Sequence, residues 1–186
     1  ALIDSALAAG KSVVTANKAL LAERAMQLAV VCEASGASLA YEAAVAGGIP
    51  VIKTLREALA GNKINRISGI LNGTCNFILS QMESDGVSFE AALKDAQKLG
   101  FAEAEPDLDI SGMDAAQKLA LLAGLAFGVQ PDVSQISVTG IDAITDQDIS
   151  FADEFNSVIR LIAIAGETPD GLVQCVAPML VERTHA

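Results

Sequence analysis

Ser12-Val-Val-Thr-Ala-Asn-Lys-Ala-Leu-Leu-Ala-Glu-Arg-Ala-Met-Gln-Leu-Ala-Val-Val-Cys-Glu-Ala-Ser-Gly-Ala-Ser-Leu-Ala-Tyr41 carries two short extended runs with a helical pattern between them. In the middle of this stretch Leu20, Leu21, Ala25, Leu28, Ala29 and Cys32 recur at three- and four-residue steps. That spacing predicts a helix from Asn17 to about Ser35 with one apolar face, and Gly36 supplies a left-handed stop. Ser12 to Thr15 and Ser38 to Tyr41 are then short strands joined by a helix, which is the pattern of a parallel pair. A shorter amphipathic helix ending at Gly10 precedes them. Residues 1–41 therefore read as the last units of a doubly wound α/β domain. The first residues lie within a helix and lack both an initiator methionine and the order of a signal peptide, so the chain reads as a fragment of a longer protein.

From Glu42 the texture changes. Glu42-Ala-Ala-Val-Ala-Gly-Gly-Ile-Pro50 is a run of small residues that favours a tight turn into a helix over Val51 to Leu59. Ile64 to Leu71 alternates as a strand and stops at Asn72-Gly73-Thr74. Helices follow over Cys75 to Glu83 and from Ser88, as N-cap, to Leu99, with Gly100 as the stop. An acidic loop runs to Gly112. Met113 to Phe127 is apolar on nearly all sides and is expected to be a central helix. Extended runs at Ser134 to Thr139, Val158 to Ala165 and Leu172 to Leu180, with a helix over Asp148 to Phe155, complete an α+β region. The expected fold is an open, mixed β-sheet with helices packed on one face, preceded by the last α/β units of a truncated nucleotide-binding domain. The expected division is 1–41 and 42–186.

Composition narrows the function. The 186 residues are 52% hydrophobic and carry 23 acidic against 12 basic side chains, a net charge of −11. Mean hydropathy is +0.43, but the apolar content is largely alanine between charges and no stretch of about 18 residues is free of polar groups, so no membrane partner is expected. A pI near 4.4 repels phosphate backbones and excludes nucleic acid as a partner. Cys32, Cys75 and Cys175 have no CxxC spacing and fit reduced thiols of a cytoplasmic protein. His185, the sole histidine, lies at the chain end, which excludes a Ser/His/Asp hydrolase.

The chemistry concentrates in Gly100-Phe-Ala-Glu-Ala-Glu-Pro-Asp-Leu-Asp-Ile-Ser-Gly-Met-Asp-Ala-Ala-Gln-Lys118, where acids crowd the entry to a buried helix. Asp114 and Lys118 are an i,i+4 pair at that entry. Carboxylates beside a lysine can hold a substrate ammonium and supply a proton-transferring group. The competing reading is a solvated acidic loop capping the helix. Asn17 and Lys18 follow a strand at its carboxyl end, where doubly wound sheets bind ligands, although an N-cap followed by a solvated lysine also fits. Gly69-Ile-Leu-Asn-Gly-Thr74 is a small-residue turn that lets backbone N–H groups approach a ligand. The turn from Glu42 to Pro50 could hold a monovalent cation or be simple close packing.

Val14-Thr-Ala-Asn-Lys18, Tyr41 to Pro50, Gly69 to Thr74 and Gly100 to Lys118 together resemble homoserine dehydrogenase, in order and over essentially the whole chain. The resemblance implies a Rossmann domain followed by a substrate and dimerisation domain. It also implies NADPH- or NADH-dependent interconversion of L-aspartate 4-semialdehyde and L-homoserine, in threonine, methionine and isoleucine biosynthesis. It assigns Lys118, Lys18 and Asp114 to catalysis, and Glu103, Asp109, Gly73 and Thr74 to the substrate. NADP or NAD would meet Lys18, Asn17 and Gly73, and Glu42 with the backbone of Val45, Gly47 and Ile49 would bind Na+. A homodimer is expected. Phe101 stands where the family commonly has tyrosine, and Gln117 where histidine is frequent. The glycine-rich dinucleotide fingerprint is not among these residues, so this stretch is expected not to turn over alone. Two rivals are a non-catalytic oligomerisation or amino-acid-binding module of the same ancestry, and another dehydrogenase of amino-acid metabolism with a different acidic set.

Overall fold

Asn17 starts the longest helix because its carboxamide oxygen accepts the Leu20 N–H at 3.1 Å, satisfying a donor the first turn leaves open. The computed structural model describes residues 2–185, and this helix, α2 (Lys18–Ser35), follows α1 (Leu2–Ala8) and β1 (Val13–Val14). Gly36 closes α2 at φ +71°, its N–H donating to Cys32 at 2.9 Å. The backbone of α2 departs from helical angles at Arg24, whose guanidinium makes a two-point contact with Asp4 of α1 at 2.7 and 3.2 Å. β2 (Leu39–Ala40) pairs with β1 in parallel, Val13 opposite Leu39, as the two short runs predicted.

The next segment differs from the expected simple turn. Glu42 begins a one-turn helix, α3 (Glu42–Val45), and its carboxylate accepts the N–H groups of Ile52 at 2.7 Å and Lys53 at 3.1 Å. An acid at a helix start satisfies otherwise open amides, and here it does so for α4 (Val51–Lys53). The single helix expected to Leu59 is instead α4 followed by a wider π turn over Thr54–Ala58. The Thr54 hydroxyl donates to the Pro50 carbonyl at 2.7 Å, and Leu59 N–H reaches back five residues to Thr54. Side-chain competition for a helix carbonyl of this kind loosens the regular ladder.

Two compact units are present: Ala1–Ile67 with Gln117–Gln135, and Ser68–Ala116 with Ile136–Ala186. Residues 42–67 thus group with the first α/β elements, and the expected division at 41/42 is not one of compactness.

The larger sheet has the order β3-β5-β6-β4, from β3 (Arg66–Gly69), β4 (Ser137–Val138), β5 (Ser157–Thr168) and β6 (Gly171–Glu182). β5 and β6 form an antiparallel hairpin and β4 joins β6 in parallel, so the sheet is mixed, as expected. The β4 run is shorter than Ser134 to Thr139 because Asp132 accepts both the N–H and the hydroxyl of Ser134, at 2.9 and 2.7 Å, and winds Val133–Gln135 into a 3-10 turn. α5 (Gly73–Asp85) and α9 (Asp146–Glu154) pack on β5 and on each other, so they cover the same face. α9 starts two residues before the expected Asp148, because Thr145 and Asp148 form a capping box. α6 (Phe89–Leu99) lies between Ser88 and Gly100 as predicted and packs on α5.

Leu161, Ala163, Ala165 and Val176 are buried, whereas Ile162 and Ile164 between them are only half-buried and Val173 is exposed. Alternation of this kind marks one covered and one open face. At the hairpin's far end Glu83 of α5 bridges Arg160 at 2.9 Å and Arg183 at 2.6 Å, and Arg183 also meets Asp153 at 2.8 Å. α8 (Met113–Phe127) has Ala115, Ala116 and Leu119 through Ala123 all buried, as its all-round apolarity required. Among the described residues, no helix is long and apolar enough to cross a membrane.

Candidate active site

Asn72 organises the acidic residues. It is the N-cap of α5, its Oδ1 accepting the Cys75 N–H at 2.8 Å, and it is buried with 3% of its surface exposed. Its Nδ2 donates to Asp109 Oδ1 at 2.7 Å and to Asp114 Oδ2 at 2.9 Å. The two acids come from opposite sides of Gly112, Asp109 from α7 (Asp107–Ile110) and Asp114 from the first turn of α8. Asp114 is buried and Asp109 half-buried.

The loop expected between Gly100 and Gly112 thus contains a helical turn, which brings Asp109 inward. Gly112 sits at φ +82°, and a Cβ there would lie 3.2 Å from Val138 and 3.3 Å from Val176, so this close, left-handed turn favours glycine. Cys75 adds another restraint, its Sγ donating to the Asp109 carbonyl at 3.0 Å. Burial, with the nearby charges of Asp109 and Asp114, pushes the Cys75 thiol up to about 12, so it stays a neutral donor.

The remaining predicted residues have separate local settings. Thr74 donates its hydroxyl to the Phe101 carbonyl at 2.6 Å, and the Phe101 ring lies 4.7 Å from that of Phe77. Phe101 therefore packs where a tyrosine hydroxyl could have offered a contact. Gly73 is exposed at the start of α5, and Glu103 is exposed, its carbonyl accepting from Gln97 at 3.1 Å. Lys118 lies one turn along α8 from Asp114 and is half-buried. Lys118 belongs, with Asn17 and Lys18, to the first unit, where Asn17 caps α2 and half-buried Lys18 is its first residue, just beyond the carboxyl end of β1.

Val45 is buried, while Gly47 and Ile49 are exposed. Both Glu42 oxygens are committed to backbone amides. Among the described residues, no group of three or more His, Cys, Asp or Glu side chains is placed to hold a metal ion. Sequence reasoning placed Asn72 in the turn and missed its part in the site. Its N-cap position three residues before Cys75 was legible, but its bonds to acids 37 and 42 residues away were not.

The family model for homoserine dehydrogenase matches residues 50–186. Homoserine dehydrogenase of a Synechocystis strain is 44% identical over 99% of this chain, and that of Bacillus subtilis is 44% identical over 99%. The chain spans 43% and 42% of those two proteins. A solved homoserine dehydrogenase from Thiobacillus denitrificans superposes with a TM-score of 0.94 at 45% identity, covering 97% of this chain and 42% of that one. A hyperthermophilic archaeal homoserine dehydrogenase in complex with NADPH gives 0.82 at 30% identity, covering 98% of this chain and 52% of that one. With the family match spanning well over half its length, this chain belongs to the homoserine dehydrogenase family.

Proposed function

We propose that this chain is the substrate-binding and catalytic part of an NAD(P)-dependent oxidoreductase that interconverts L-homoserine and L-aspartate 4-semialdehyde. The observation that carries the reading is the pair Asp109 and Asp114, drawn together by Asn72 at the head of the helix that bears Lys118. Within this pair Asp109 suits the ammonium of an amino-acid aldehyde, because an unpaired ammonium in a closed site carries a desolvation penalty of several kcal/mol. Glu103 and Asp109 take the ammonium in this reading, and Gly73 and Thr74 line the substrate's approach. The nicotinamide cofactor, when bound, supplies the hydride. As the aldehyde oxygen gains negative charge, the Lys118 ammonium donates a proton to it, assisted by Lys18 and with Asp114 holding the lysine's field. In the reverse direction Lys118 accepts the hydroxyl proton.

The residues fit a nicotinamide cofactor on one side. Asn17 and Lys18 open α2 directly after a strand of a parallel pair, where they would hold it. That a solved relative is in complex with NADPH supports a nicotinamide cofactor for this chain. Sodium forms no part of the proposal, since Glu42 already serves the amides of α4.

Glu103→Gln in the full-length enzyme is expected to raise KM for homoserine roughly tenfold with kcat little changed, the size of one lost charge-assisted hydrogen bond. An unchanged KM would remove Glu103 from the substrate site. The protein is also proposed to be a homodimer through the open sheet face, where Ile162, Ile164, Ala177 and Met179 are half-buried and Val173 is exposed. Covering such a face removes an aggregation-prone surface. Light scattering at micromolar concentration should give twice the protomer mass, and a monomer's mass would refute the dimer.

A further inference from the structure

We propose that Asn72 is a positioning residue for the candidate site, its two amide N–H groups fixing Asp109, the carboxylate for the substrate, beside the catalytic Asp114. The inference rests on the assignment of Asp109 to the substrate and of Asp114 to catalysis, and adds the device that places them.

Every polar atom of Asn72's carboxamide is engaged. The nitrogen has two hydrogens, and they go to two different carboxylates, while the oxygen accepts from Cys75 N–H. Turning the amide over would set its oxygen against two carboxylate oxygens and its nitrogen against an N–H, so the orientation is dictated by the partners. One amide nitrogen then holds two negative groups within roughly 5 Å of each other, the span of its two N–H directions.

Asn72 is anchored in turn. Its backbone carbonyl accepts from Asn76 Nδ2 at 2.9 Å. The Asn76 carboxamide also pairs with the backbone of Leu161 in β5, donating to its carbonyl at 3.2 Å and accepting its N–H at 3.0 Å. The acids are thereby referenced to the sheet through a first helical turn that cannot rotate independently.

Capping alone does not explain asparagine here. Serine or aspartate caps a helix about as well. Neither offers an NH2 group to two carboxylates, and aspartate would add a third negative charge. Cys75 of α5 faces both acids, and the segments that carry the pair also bear Glu103, Glu105, Asp107 and, one turn along α8, Lys118. Cys75 stays neutral throughout the working range, as described above.

The test is Asn72→Ser in the full-length enzyme, which keeps the cap and removes the fork. KM for homoserine should rise roughly tenfold or more while kcat changes less, as expected when ground-state positioning is lost. The acidic limb of kcat/KM against pH should move to higher pH, because carboxylates stripped of a donor protonate more readily. The melting temperature should fall by several degrees at most, since serine keeps the cap while each acid loses one donor. A melting loss with KM and the pH limb unchanged would reduce Asn72 to a cap and overturn the proposal. If Asn72→Ser fails to fold, Asn72→Asp, similar in shape and able to cap, must show the same KM rise and a larger upward move of the limb, and an unchanged profile refutes it. Asp109→Asn, measured beside them, separates the two levels. If it leaves KM unchanged, the substrate assignment itself fails. If it raises KM while Asn72→Ser does not, only the role of Asn72 fails.

Discussion

Lys118→Ala in the full-length enzyme is expected to lower kcat by roughly 100-fold or more while leaving cofactor affinity nearly unchanged. A general acid contributes about 10² to 10⁴ in rate, and neither Gln117 beside it nor Asp114 one turn back can donate a proton as an ammonium does. Were Lys118 only a helix-surface partner of Asp114, it would be worth about 0.3 to 0.5 kcal/mol, and its loss would slightly lower the melting temperature at full turnover. The same variant decides against the rival non-catalytic module, which predicts no change in turnover. Measuring kcat, cofactor affinity and melting temperature on one pair of proteins separates these cases, and a full-rate enzyme would end the catalytic assignment.

Gly140→Ala should give the largest loss of stability. The loop leaving β4 lies directly on the turn between α7 and α8, where Ile141 N–H donates to the Ile110 carbonyl at 2.8 Å. A Cβ on Gly140 would run into that same carbonyl oxygen and come within 2.8 Å of Ser111 Cα. These are backbone atoms and cannot rotate aside, so the chain must move as a unit. Overpacking of this kind costs about 2 to 3 kcal/mol. For a protein of this size that corresponds to a fall of roughly 5 to 10 °C in melting temperature. Because the displaced turn carries Asp109 and leads to Asp114, KM for homoserine should rise in parallel. A variant with wild-type melting and wild-type KM would show that the loop is free to shift, contrary to its burial at Ile141.

How much was legible in the sequence follows from the range over which each signal acts. α6 is bounded by Ser88 and Gly100 as read, because an N-cap serine and a left-handed glycine act within four residues. α8 was legible from its lack of a polar face. α7 was overlooked inside an acidic loop, although Pro106 followed by Asp107 and Asp109 is itself a helix-start pattern; the density of charge made solvation the more obvious reading. The ends of β5 and β6 were underestimated because their last residues, such as Glu167 and Glu182, are polar and exposed, and periodicity is silent where neither face is buried. The acidic pair was recognised as candidate chemistry from residue types and from the resemblance. Its geometry was not, because the amide that joins the two acids is remote in the chain and its own sequence context, Asn-Gly-Thr, is that of an ordinary turn.

The anchoring of α5 also orders events in time. Asn76 is separated from Leu161 by 85 residues, and Glu83 from Arg183 by 100, whereas Asn72 lies 37 residues from Asp109. Contacts across long loops close late, since chain entropy must be lost before they reward it. The residues of the candidate site are thus synthesised well before the hairpin that clamps their frame. A nascent chain ending short of β5 would carry the acids and the lysine with their helices unanchored, and the site would take its final form only when the last strands have docked.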